Sequence, residues 1–244
     1  MAGARGHAAQ ALQRAERTRQ RWLFAQLAWL QVALAEGDFA GAARLLELSQ
    51  TAEERSLGWM SPVIEAPLEA CVTGPGAAHP RLKYLAEHLV QLEDPLWGTM
   101  PTAVWFEGLA LAARIASDTP HLDYAAGLAQ AALASPEALP LQKLLSHGVL
   151  GIAALQQGDA QEASVHYQAL LPHAGMASPG SGMLLDRLLG LLAGTMGELD
   201  RAAKHFEDAL AFARKGGYRP ELAWTCCDYA DLLRQRNAPG DGER

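Results

Sequence analysis

Apolar side chains recur every three or four residues between positions 186 and 217, and a short segment, Met196-Gly197-Glu198, interrupts them. This period places the apolar residues on one face of a helix. The stretch therefore predicts two amphipathic helices joined by a tight turn. Gly190 and Ala202 are small and predict a close approach of helix axes, whereas Phe206 is large enough to fill the space between neighbouring pairs.

The same order of small and large residues recurs twice earlier in the chain, and an acidic residue follows each turn glycine. Glycines 158 and 197 are 39 residues apart, and glycines 37 and 158 are 121 apart, or three intervals of about 40. This period predicts a helix-pair solenoid in which two further pairs lie between the copies. The residues that define the register are Gly37, Ala42, Gly151, Gly158, Ala163, Tyr167, Gly190, Gly197, Ala202 and Phe206.

The order of residue types resembles the tetratricopeptide repeat. Leucine and glycine come first and are followed by alanine, the turn glycine, alanine and an aromatic residue. That repeat has about 34 residues, so an interval of about 40 departs from it. The longer interval is similar to the repeats of large bacterial ATPase-containing signalling proteins, namely the maltose-type transcription activators and the ATPase-fused adenylate cyclases. Their tails are similar to residues 205–244. The resemblance implies an all-α, right-handed superhelix of about five pairs and a C-terminal capping helix, with an interaction or sensing role.

Composition divides the chain into an Arg- and Ala-rich arm or frayed helix at 1–20, a repeat domain at 21–236 and a polar tail at 237–244. The formal net charge is −7, and residues 1–21 hold five arginines and one glutamate, or +4, which leaves −11 for the remainder. Such an acidic body argues against a nucleic-acid partner, which needs clustered cations. No apolar run reaches the roughly 18 residues of a membrane span, so no membrane contact is predicted.

Cysteine and histidine usage gives no sign of a disulfide framework or a metal site. Cys226 and Cys227 are adjacent on a predicted helix, where their side chains point about 100° apart and cannot readily pair. With Cys71 they predict reduced, buried thiols in a cytoplasmic protein. The eight histidines lack the i, i+4 spacing of zinc hydrolases, so neither a metal nor a cofactor is predicted.

Candidate binding residues lie on the first helix of each pair, which lines the concave surface of such a solenoid. An aromatic and methionine cluster, Trp59, Met60, Trp97, Met100, Trp105 and Phe106, forms either a ligand groove or core packing, and its helical spacing favours packing. The candidate groove residues are Trp59, Trp105, Glu107, Arg114, Lys143, His147 and Arg187.

These features predict a non-catalytic scaffold that binds a protein or peptide, with a small-molecule effector as a further option. Glu107 beside Trp105 has no second catalytic partner, so an enzyme is not predicted. The Gly-, Ser- and Pro-rich break at 173–182 has neither nucleophile-elbow nor phosphate-loop spacing and predicts a flexible turn. The alternative is a small-molecule-binding solenoid or an enzyme that uses an aromatic groove around Trp105 and Glu107.

Overall fold

The computed structural model describes the chain mainly in its second half, and it is helical there without a β-strand, which confirms the all-α class. The described residues are 79–91, 100–178 and 181–243, preceded by 3, 5–10, 13, 32–33, 35–42, 66–67 and 69–70. The long helices from residue 79 onward are α1 (Pro80–Gln91), α2 (Met100–Ala116), α3 (Thr119–Ala134), α4 (Pro140–Gln157), α5 (Ala160–Leu170), α6 (Leu185–Thr195), α7 (Leu199–Gly216) and α8 (Arg219–Arg236). No described helix is long and apolar enough to cross a lipid bilayer.

Two helix starts are fixed by aspartates that accept backbone hydrogen bonds. Asp159 caps α5 by accepting from the amides of the second and third residues that follow it, at 2.9 and 3.0 Å. The N-cap of α3 is Asp118, which accepts from the amide of His121 at 3.2 Å.

The turns inside successive helix pairs share one geometry. Gly37, Gly158 and Gly197 have positive φ angles of 77°, 66° and 78°, and Ser117 has one of 58°. In each case the next amide donates to a carbonyl five residues earlier, at 2.8 to 3.0 Å, which is a helix-ending motif that favours glycine. Positions 37, 117, 158 and 197 are separated by 80, 41 and 39 residues, so Ser117 marks a turn in the predicted register. The other expected turn, near residue 77, lies outside the described residues.

Consecutive helices pack on one another from α1 to α8, and the first helices of successive pairs also meet. Contacts join α2 to α4, α4 to α6 and α6 to α8. Because short turns join the helices within α2–α3, α4–α5 and α6–α7, each pair is antiparallel. One core of buried side chains runs through these pairs.

Small residues set the close approaches in this core. A Cβ added to Gly190 would lie 3.1 Å from three ring atoms of Phe206, and one added to Gly151 would lie 3.4 Å from Leu192. Ala163 and Ala202 are fully buried. The α6–α7 pair therefore packs a glycine on the phenyl ring of Phe206, a residue that the sequence pattern placed in the space between neighbouring pairs.

Two further contacts involve an early turn of the chain and its last residues. A Cβ added to Gly37 would lie 3.6 Å from Pro220 and 3.8 Å from the Cβ of Arg219, so the Gly37 turn lies against the first turn of α8. Near the C terminus, the carboxylate of Asp241 is buried and accepts from the amide of Ala238 at 2.8 Å. The residues predicted as a polar tail thus contain a folded segment.

Candidate binding site

The structure brings only some of the predicted groove residues together. Trp105 is 1% exposed and lies in the core, and Lys143 lies exposed on α4. Arg114 and Arg187 come together from α2 and α6. Trp59, like Met60 and Trp97, lies outside the described residues.

Glu107 is a buried carboxylate that anchors the segment between α5 and α6. It accepts hydrogen bonds from the hydroxyl of Ser178, the amide of Ser181 at 2.9 Å and the hydroxyl of Ser181 at 3.2 Å. A Cβ added to Gly148 would lie 3.9 Å from Glu107 Oε1, which locates the carboxylate at the contact between α2 and α4. Burial of a carboxylate is costly unless it is hydrogen-bonded, and these donors supply the compensation.

The anchored segment is a short hairpin rather than an unpaired turn. Residues 176–178 pair with 183–185 through a bond from the amide of Ser178 to the carbonyl of Met183 at 2.8 Å and one from the amide of Leu185 to Met176 at 2.9 Å. We call residues 176–178 and 181–185 the anchored hairpin. Since it contacts Glu107, it covers a part of α2 that the sequence predicted to face an open groove.

Arg187 is the centre of a second polar site, which we call the Arg187 cluster. Its guanidinium is 1% exposed and donates to Asp228 at 2.7 Å and to Glu221 at 3.1 Å. The same group lies 4.7 Å from the centroid of the Trp224 ring, a cation–π distance. Glu221, Trp224 and Asp228 follow one face of α8. A single helix therefore supplies all three of these contacts to the buried guanidinium.

Arg114 completes the Arg187 cluster from α2 and differs from the other charged members. It is half-buried, and burial first and the charge of Arg187 second lower its pKa, whereas Asp228 and Glu221 act in the opposite direction. Among the described residues, no hydrogen bond or ion pair satisfies its guanidinium. An arginine presents five N–H donors, so this side chain has donors available for a ligand.

His147 contacts the second helix of its own pair instead of a groove. Its Nδ1 lies 3.1 Å from Nδ1 of His166 on α5. Burial, followed by the charge of His147, lowers the pKa of His166 to about 4, and burial also lowers the pKa of His147. Both rings are therefore neutral at pH 7. A neutral imidazole has one N–H and one acceptor nitrogen, so the N–H of one ring can donate a hydrogen bond to the other ring.

The cysteines of α8 differ from the prediction. Cys226 and Cys227 are free thiols, but both are exposed, so the expectation of burial was wrong. The buried face of α8 is formed by other residues, among them Thr225 and Tyr229, and the cysteines fall beside it. Cys226 lines an open groove of about 490 Å³ between α7 and α8. Cys71 lies outside the described residues.

Sequence reasoning missed the partners of both sites. Glu221 and Asp228 are seven residues apart on α8, the final helix, which packs on α6 as a first helix would. The rule that selected Arg114 and Arg187 would have found them if it had been applied to α8. Ser178 and Ser181 carry no comparable signal, because their contacts with Glu107 span 71 and 74 residues. A comparison of the chain with known protein families, curated proteins and solved structures gave no match.

Proposed function

We propose that this chain is a non-catalytic helical-repeat scaffold of the tetratricopeptide-like kind, with about five helix pairs in a right-handed superhelix and α8 as the final helix. The recurring left-handed turns at Gly37, Ser117, Gly158 and Gly197 support this architecture. Its resemblance to bacterial signalling proteins favours a role in signalling or transcription control. A cytoplasmic location accords with free, exposed thiols.

The observation that carries a binding role is the half-buried guanidinium of Arg114. A cation that is removed from water without a hydrogen-bonded partner is costly, and proteins keep such groups mainly where they function. Arg187 already engages the carboxylates of Glu221 and Asp228. The proposed partner is therefore a protein or peptide segment that presents a carboxylate or other oxygen acceptor to Arg114.

Arg114→Met tests this role, because methionine keeps much of the aliphatic volume and removes every donor. Affinity capture from a lysate of the source organism would compare the wild-type chain with this variant and with Lys143→Met, which removes an exposed cation from α4. We expect a partner that both the wild type and Lys143→Met retain and that Arg114→Met loses at least tenfold.

The captured partner would then be purified and its affinity for the three chains measured by calorimetry. Equal affinity of the wild type and Arg114→Met for every captured partner would contradict the proposal.

The alternative of an aromatic groove around Trp105 and Glu107 has less support, because the indole is 1% exposed and the carboxylate already accepts three hydrogen bonds. A small-molecule effector with an acidic group would fit Arg114 by the same chemistry.

A further inference from the structure

A group of three potential metal ligands lies between α6 and α7, away from the residues used above. Asp186, His205 and Asp208 each offer one ligand atom, and these atoms all lie within 4.8 Å of one another. His205 and Asp208 are three residues apart on one face of α7, and Asp186 faces them from α6. Asp186 and His205 are buried, whereas Asp208 is exposed.

The spacing of the two buried ligand atoms matches two ligands of one metal ion. Asp186 Oδ1 lies 3.3 Å from His205 Nδ1. Around a tetrahedral zinc ion, with bonds of about 2.0 to 2.2 Å, neighbouring ligand atoms are roughly 3.3 to 3.6 Å apart. An N–H···O hydrogen bond is usually shorter, about 2.9 to 3.0 Å.

The remaining polar atoms of both buried ligands are held by neighbours. His205 Nε2 lies 2.8 Å from the hydroxyl of Tyr167, and Asp186 Oδ2 accepts from the amide of Gly175 at 2.6 Å. Metal-binding histidines usually donate their second N–H to such a partner, which fixes the ring and leaves the other nitrogen free to bind the ion. If Nε2 carries the proton here, the lone pair of Nδ1 points toward Asp186.

Charge also favours a cation at this position. Among the described residues, neither Asp186 nor Asp208 is paired with an arginine or a lysine. Two carboxylates and a neutral imidazole carry a charge of −2, which one divalent ion balances. The exposure of Asp208 provides a route by which the ion and its water can enter.

The preceding helix pair provides an internal comparison. Positions 39 residues earlier than Asp186 and His205 are His147 and His166, whose Nδ1 atoms lie 3.1 Å apart. The position that corresponds to Asp208 is Ala169. The two pairs thus share a polar contact between their helices, but only the α6–α7 pair adds an exposed carboxylate.

We propose that Asp186, His205 and Asp208 bind a divalent transition-metal ion of the Zn2+ class, with water on the exposed side. Imidazole with carboxylates is a ligand set that such ions accept. This inference is independent of the proposed scaffold role, because it uses neither Arg114 nor the Arg187 cluster. Tyr167 acts as a positioning residue that orients the ring of His205.

The test uses the full chain after treatment with a chelator. Titration with Co2+ would be followed by visible absorption and titration with Zn2+ by calorimetry, on the wild type, on Asp208→Asn and on Asp123→Asn. Asp123 is exposed on α3, so its variant is a matched control. We expect one ion per chain in the wild type and the control, and an affinity at least about 100-fold weaker in Asp208→Asn.

Because Asp208 is exposed, its replacement should leave the fold intact, which circular dichroism would check. Tyr167→Phe keeps the ring in the core and should weaken Zn2+ binding by about 10- to 100-fold through loss of the hydroxyl. Absence of saturable binding to the wild type would overturn the proposal. Binding that survives Asp208→Asn would also overturn the proposal. The same holds for binding that is lost only in His147→Asn, which replaces the corresponding histidine of the α4–α5 pair.

Discussion

Gly190 faces the ring of Phe206 across the contact between α6 and α7. The ring is 1% exposed and stacks on Tyr229, with centroids 5.6 Å apart. It therefore has little freedom to move away from a new methyl group, because protein interiors are closely packed. The glycine is required here by space and not by its backbone conformation.

Gly190→Ala should destabilise the protein by about 1 to 3 kcal/mol, since the added Cβ would meet three ring atoms at 3.1 Å. Gly127→Ala is the matched control, because Gly127 is exposed within α3 and an added Cβ would have no neighbour within 4 Å. That variant should gain roughly 0.5 to 1 kcal/mol from helix propensity. Urea unfolding would measure both, and equal effects of the same sign would contradict the packing argument.

His166 makes the stability of the protein depend on pH. Its pKa is about 4 in the folded chain against an ordinary value of 6.5, so the unfolded chain binds this proton more readily. The free energy of unfolding therefore falls as the pH drops from about 6.5 to about 4. The groups beside the ring are His147 and the exposed carboxylate of Glu162, 3.6 Å from Nε2.

His166→Asn should reduce the loss of stability between pH 7.5 and pH 5 by about 2 kcal/mol, the share that follows from the shifted pKa of this residue. Denaturant unfolding at the two pH values would show it. His7→Gln serves as the control, because it removes an exposed histidine and should not reproduce the effect of His166→Asn. An unaltered pH dependence in His166→Asn would refute this assignment.

At the scale of elements, the anchored hairpin is the feature that links distant parts of the chain. It lies between α5 and α6 in sequence, yet its serines donate to Glu107 on α2. A hydrogen bond to a charged group contributes more than a neutral one, about 1.5 to 3 kcal/mol. The carboxylate is therefore an important support for the hairpin.

Glu107→Gln should lower stability by about 2 kcal/mol, because the new amide N–H2 group faces donors instead of accepting from them. Hydrogen exchange would be faster at the amides of Ser181 and Leu185 than in the wild type. Glu137→Gln, at an exposed position between α3 and α4, should change neither quantity. Unchanged exchange in the hairpin of Glu107→Gln would show that the anchor is unimportant.

Sequence reasoning worked where an element is specified by its own residues. The helix pair at 186–217 and the turns at Gly158 and Gly197 follow from local periodicity and from the demand for a left-handed residue. Ser117 escaped notice because a serine at that position gives no glycine signal. The Glu107 anchor and the Arg187 cluster join residues far apart in sequence, which local patterns do not encode.

For the whole molecule, the Gly37 turn and the start of α8 approach each other. The distance from an ideal Cβ on Gly37 to the Cβ of Arg219 is 3.8 Å, close to the mean of about 3.8 Å in disulfides. A chain of stacked pairs that only touched its immediate neighbours would not bring these positions together. The early and late parts of the chain are therefore in contact.

Gly37→Cys with Arg219→Cys should form an intramolecular disulfide in a background that lacks the native cysteines. A non-reducing gel would show the faster migration of the cross-linked chain. Gly158→Cys with Arg219→Cys is the control, because Gly158 also has a positive φ, of 66°, but no neighbour within 4 Å of an added Cβ. Equal oxidation of the two variants would contradict the contact between the Gly37 turn and α8.

The bond network around Glu107 has a further effect on how the molecule comes apart. It ties the α2–α3 pair to the segment that leads from α4–α5 into α6–α7, so three successive pairs share one linkage. Linear arrays can lose terminal units one after another, because each unit depends only on the next. Here separation on either side would break the hydrogen bonds to Glu107, and residues 100–216 would unfold as one cooperative unit.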